Sequence, residues 1–175
     1  MAFADSEGTR IHYDDRGKGE PVFVCLPGWC VHHTIFVPLM ERLSGHRRVL
    51  AMDWRGHGES QAPKRDFGHA EMVADVLAVI QASGAQSVIP IAQAHGGWVA
   101  VELRRKLGER VPRMIFTSWN PISTGQNPLA MMQALQDTAR WPETVEQLLT
   151  MWLRGAPSSV NTHIRNEMES HGSED

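Results

Sequence analysis

At 175 residues the chain is long enough for one compact core and little more. Its 42% hydrophobic and 21% charged residues are an ordinary globular composition, which argues against intrinsic disorder. A net charge of −3 offers no basic face for nucleic acid or acidic lipid, and no stretch reaches the roughly twenty apolar residues of a bilayer span.

The opening MAFADSEGTR lacks the apolar core of a secretory leader. Residues 9–15 (TRIHYDD) alternate polar and apolar side chains and, through the Gly-rich RGKGE, read as a hairpin feeding the buried strand PVFVCL at 21–26. The segment 34–45 spaces Ile35, Leu39 and Leu43 four apart and stops at Gly45, which predicts a helix whose start is shifted by Pro38. RRVLAMD (47–53) is a second buried strand. Met72, Val76 and Ile80 mark a helix over 69–85, SVIPIA (87–92) is a strand, 96–110 is a helix ending at Gly108, and RMIFTSW (113–119) is a strand.

Alternating strands and helices predict an α/β doubly wound, mostly parallel sheet over residues 1–121. Residues 122–175 are expected to be a helical, Met-rich, cap-like segment with a polar tail. The cysteines, Cys25 and Cys30, have neither metal nor redox spacing and read as small buried hydrophobes of a reduced, cytoplasmic protein. His12, His46 and His69 read as surface residues.

Open α/β sheets bind ligands beyond the carboxyl ends of their strands. The segments there are PGWCVHH (27–33), DWRGHGES (53–60), QAHGG (93–97) and SWNP (118–121). They hold Trp29, Trp54 and Trp119 of the six tryptophans, and His32, His33, His57 and His95 of the nine histidines. An aromatic, His-rich pocket on one rim is expected, although each tryptophan alone could equally be rim packing and each glycine a turn requirement.

PGW, D-x-R-G-H-G-x-S and the strand–turn–helix ending in HGG together resemble the α/β-hydrolase fold, in which that turn holds a nucleophilic serine. LPGWC, DWRGHG, HGGWVAVEL and the later MWL and HIRNEM are most similar to the cofactor-independent 3-hydroxy-4-oxoquinoline and quinaldine 2,4-dioxygenases. The resemblance implies quinoline degradation. In the family it resembles, a histidine oriented by an aspartate removes the 3-hydroxyl proton, and the anion reacts with O₂ and releases carbon monoxide without metal or organic cofactor.

Carried over by position, Trp29 and His95 match the backbone N–H donors of the oxyanion hole. Ala94 stands at the elbow serine and Ser118 at the acid. Val31 replaces a polar residue, while His33 keeps a histidine of the family. Trp29, Cys30, Trp119 and Trp152 fall at the substrate pocket. The base belongs near the C-terminus of a family member, and no residue here matches it, so the sheet is expected to be incomplete at that end. His33 and His57 are the candidate substitute bases, neither with a carboxylate evident in the sequence to orient it.

An impaired dioxygenase is therefore expected, with a small heteroaromatic ligand and no metal. Two other readings stay open, a non-catalytic binder of flat heteroaromatics and a truncated gene product. A serine-type hydrolase is disfavoured because Ala94 has no lone pair to attack with. An uncovered sheet edge would be relieved by a homodimer or by a separate C-terminal partner chain.

Overall fold

The computed structural model describes residues 1–119, 133–134 and 137–170. The chain divides into two compact units, Met1–Pro121 and Ile122–Asp175.

The first unit is built on one sheet. Strands β1 (Ala2–Ser6) and β2 (Thr9–Arg16) form a hairpin whose two turn residues, Glu7 and Gly8, have φ of 53° and 83°. Two successive positive φ values make a turn whose twist matches that of the strands it joins. Strands β3 (Val22–Leu26), β4 (Val49–Met52), β5 (Val88–Gln93) and β6 (Ile115–Thr117) follow, and the order across the sheet is β1-β2-β4-β3-β5-β6. β3 to β6 are mutually parallel, while β2 joins them antiparallel through β4. The hairpin expected between residues 9–15 and 21–26 is thus not formed. β2 takes β1 and β4 as partners, and β3 is inserted between β4 and β5.

Three helices cover the sheet. Helix α1 (Val37–Leu43) follows a 3-10 turn at His33–Phe36, α2 spans His69–Ser83, and α3 spans Gly96–Leu107. Side chains alternate along the strands as a pleat requires. Val22, Val24, Leu26, Leu50 and Met52 pack with Val76 of α2 and Leu103 of α3, whereas Cys25, Val49, Ala51 and Ile91 pack with Phe36 and Met40. Burial on both faces explains why β3 and β4 read as unbroken apolar runs. Helix α2 starts where the Glu71 carboxylate accepts the Gly68 N–H at 2.8 Å and stops at Gly84, left-handed with φ 71°.

β3 has its successor β4 on one side and β5 on the other, so the connections leave it in opposite directions. Such a reversal is where open α/β sheets place a ligand, at the carboxyl end of the sheet between the loops after β3 and β5.

The second unit contains α4 (Trp141–Trp152) and α5 (Ser158–Ser170). Leu148, Leu149, Ile164 and Met168 are buried, and the Arg165 guanidinium pairs with both Glu146 oxygens at 2.6 and 3.1 Å. Of the helical segment and polar tail expected over residues 122–175, residues 122–132, 135–136 and 171–175 lie outside the described residues, as do residues 120–121 of the last rim segment.

Candidate functional site

Backbone strain marks the rim. Among the described residues four non-glycine positions have positive φ, and three of them follow parallel strands: Cys30 at 59° after β3, Ala94 at 47° after β5 and Ser118 at 53° after β6. Left-handed conformations of such residues persist only where the surroundings impose them, and they gather at functional sites. At the β5–α3 turn the Ala94 N–H donates to the Thr117 carbonyl at 3.0 Å, and the Ala94 carbonyl accepts from Gly97 at 3.0 Å. The turn thus keeps the tight strand-to-helix geometry that presents its central side chain, and that side chain is a methyl group.

Close approaches require two glycines here. A Cβ on Gly96 would lie 3.2 Å from the Leu26 carbonyl oxygen, and one on Gly97 would lie 2.5 Å from the Trp119 ring. The first brings α3 against the end of β3. The second seats Trp119 on the first turn of α3, where it stacks on Phe116 with ring centroids 4.4 Å apart and meets Trp98 edge-on at 5.4 Å. The Trp119 indole Nε1 is buried without a hydrogen-bond partner among the described residues.

The loop after β3 is held from below. Trp54, fully buried, donates its Nε1 to the Pro27 carbonyl at 2.9 Å, and its ring lies 6.1 Å from that of His95. Trp54 is therefore a structural support, whereas Trp29 is half-buried. Gly28 N–H donates to Gln93 Oε1 at 3.1 Å. Neither the Trp29 nor the His95 backbone N–H has a partner among the described residues. Burial, together with the neighbouring His57, pushes the His95 imidazole down to about 4, so it is neutral at physiological pH. His57 is half-buried, with Nδ1 3.2 Å from the Arg55 carbonyl.

The most concentrated polar cluster surrounds Asp53, the first residue of D-x-R-G-H-G. His33 brings both its N–H, at 2.7 Å, and its Nδ1, at 2.9 and 2.8 Å, to the carboxylate. His12 Nδ1 lies 3.0 Å away, and the Glu59 N–H donates at 3.1 Å. Burial alone would raise the Asp53 carboxyl, but the bonds from His12 and His33 outweigh it and hold it well below the usual carboxylate range. An ionised carboxylate only accepts, so both imidazoles must carry their proton on Nδ1. His12, His33 and Asp53 have the donor atoms of a metal site, all within 4.8 Å. A metal ion there would have to displace both ring protons and share the carboxylate with two backbone N–H groups, so the donor set fits a hydrogen-bonded cluster better.

Two expectations need correction. His12 is fully buried, not on the surface, because β2 is covered on both faces and the Asp53 carboxylate faces it. His33 does have an orienting carboxylate, Asp53, which the sequence separates from it by twenty positions. The His57 ring lies beside the Arg55 carbonyl. Ser118 is exposed and supplies no carboxylate at the acid position. Cys25 and Cys30 are buried and free, and burial pushes both thiols up to about 12, which leaves them unreactive. Trp152, the last residue of α4, is exposed in the second unit.

Residues 21–148 match the alpha/beta hydrolase fold family. The chain is 34% identical over 168 residues to the 2-heptyl-3-hydroxy-4(1H)-quinolone dioxygenase of Mycobacteroides abscessus, covering 94% of itself and 62% of that protein. It is 30% identical over 180 residues to the 1H-3-hydroxy-4-oxoquinoline 2,4-dioxygenase of Pseudomonas putida, covering 96% and 64%. The solved structure of an AqdC variant in complex with its substrate, from work on ring-cleavage of the Pseudomonas quinolone signal, superposes with a TM-score of 0.90 at 32% identity. That superposition covers 98% of this chain and 66% of the other. The chain thus spans somewhat less than two thirds of the curated relatives it matches.

Proposed function

Because the chain belongs to the α/β-hydrolase fold family, and its relatives include dioxygenases of 3-hydroxy-4-quinolones, we propose that it holds a flat 3-hydroxy-4-quinolone anion at the rim and is impaired in cleaving it. The observation that carries this is Ala94, a methyl group on an elbow still held at φ 47°. The charged oxygen is received by the backbone N–H groups of Trp29 and His95, which act as an oxyanion hole. The face of Trp29 accepts the ring system, and the Trp119 Nε1, without a partner among the described residues, is a spare donor for a ligand oxygen. Neutral His95 adds no positive charge. The site needs no organic cofactor or metal for this task. Two free, buried thiols suit a reducing, cytoplasmic setting.

Titration with 2-heptyl-3-hydroxy-4-quinolone under air, following ligand absorbance and carbon monoxide together, tests the proposal. Saturable binding with a stable spectrum is expected, whereas prompt carbon monoxide release overturns the impairment and absence of binding overturns the whole reading. One observation favours slow turnover as a second reading. His33 is oriented by Asp53 through Nδ1, as a base is oriented in a catalytic triad. In that case slow carbon monoxide release disappears in His33→Gln while binding is retained.

A further inference from the structure

The loop Pro27–His33 carries one of the two N–H groups assigned to the anion, and three side chains fix it from outside. Trp54 and Asp53, both from the end of β4, hold Pro27 and His33. Gln93 is different. It ends β5, immediately precedes the elbow, and accepts the Gly28 N–H through Oε1 at 3.1 Å. Of the three it alone ties the loop bearing the Trp29 N–H to the strand whose continuation bears the His95 N–H. The approach is direct, because a Cβ built on Gly28 would lie 3.3 Å from Gln93 Oε1 and 3.6 Å from the Ala94 methyl.

The geometry points to Gln93 as the positioning residue of the anion site, setting the separation of the Trp29 and His95 N–H groups and keeping the Gly28 N–H out of it. The inference rests on the function proposed above for its effect on binding, but not for its effect on the loop. Losing one neutral hydrogen bond leaves the Gly28 N–H unpaired beneath the elbow and frees the loop to move. The penalty then falls on a ligand that needs two convergent donors for a charged oxygen. A ligand held by ring stacking alone is spared.

The test compares wild type, Gln93→Leu, which keeps the bulk without the acceptor, and Gln93→Glu, which keeps the acceptor. Each is titrated with 2-heptyl-3-hydroxy-4-quinolone and with its 3-O-methyl ether, and amide exchange is followed over residues 22–33. In Gln93→Leu, binding of the hydroxyquinolone is expected to weaken roughly fivefold to tenfold, the loss of about one hydrogen bond. The ether should change less than about twofold, since it presents no anion. Amides of residues 28–30 should exchange faster while those of β3 stay protected; Gln93→Glu should restore that protection, whereas its negative charge beside the anion keeps hydroxyquinolone binding weak. Equal weakening of hydroxyquinolone and ether would reduce Gln93 to a structural residue and overturn the inference. So would unchanged exchange at residues 28–30. Should wild type bind neither probe while the loop still loosens in Gln93→Leu, the positioning stands and the proposed ligand falls.

Discussion

At the scale of single residues, Ala94 and His95 make opposite demands. An alanine in the left-handed region is strained by about 1–2 kcal/mol, of which glycine's greater freedom in the unfolded chain recovers part. Ala94→Gly, which relieves a φ of 47°, should therefore raise stability by up to about 1 kcal/mol in urea denaturation. His95 titrates at about 4 in the folded chain, against about 6.5 when unfolded. Between those values the unfolded chain binds the extra proton, so stability is complete above pH ~6.5 and falls as the pH drops towards ~4. The fall should amount to about 2 kcal/mol and be absent from His95→Gln, as read from urea midpoints at pH 7 and 4.5. Asp53 adds its own decline only at lower pH, below about 4, because its carboxyl is depressed. These residues were unequally legible. PGW, D-x-R-G-H-G and HGG located the rim, but nothing local paired His12 with Asp53. Alternation in β2 sends Ile11 and Tyr13 inwards and His12 outwards, and only the tertiary cover over that second face buries all three.

At the scale of elements, hydrophobic period was sufficient for the parallel strands, whose both-sided burial is written in runs such as VFVCL and VLAM. It was insufficient for β1, five residues of mixed burial at an edge, and for the partner of β2, since pairing depends on the whole sheet. The connection after β4 shows a constraint of another kind. Gly58, at φ 52°, lies so close to the Asp53 carboxylate that an added Cβ would stand 2.5 Å from its carbon. Its turn also delivers the Glu59 N–H to that carboxylate and Ser60 Oγ to the Asp53 carbonyl at 2.9 Å. Gly58→Ala should thus cost about 2–4 kcal/mol, through a backbone that resists positive φ and a displaced buried acceptor. Asp53→Asn should cost about 3 kcal/mol or more, because one amide oxygen cannot serve four N–H donors in a buried site. A cost in Asp53→Asn below about 1 kcal/mol in chemical denaturation would show that the cluster is dispensable for stability.

At the scale of the whole molecule, β6 is the outermost strand of the sheet among the described residues. Among the described residues β6 pairs only with β5, and Ile115 and Phe116 are 42% and 37% exposed. The three residues Ile115–Thr117 include no charge and no proline, the devices that usually keep a free edge from pairing. A net charge of −3 over 175 residues adds little repulsion between copies. Self-association through this edge is the expected outcome, seen as a concentration-dependent sedimentation coefficient that Ile115→Lys returns to the monomer value. Ile115 is the informative position because the alternating pleat puts it on the face opposite Phe116, leaving the Phe116–Trp119 stack in place. A wild type that sediments as a monomer at every concentration would show that this strand does not pair between copies. Association should also be felt at the rim, since Phe116 stacks on Trp119 and Trp119 rests against Gly97, the second residue of α3. Affinity for the quinolone should then depend on protein concentration in wild type and lose that dependence in Ile115→Lys. Loss of self-association without any change in affinity would instead mean that edge and rim behave as independent surfaces.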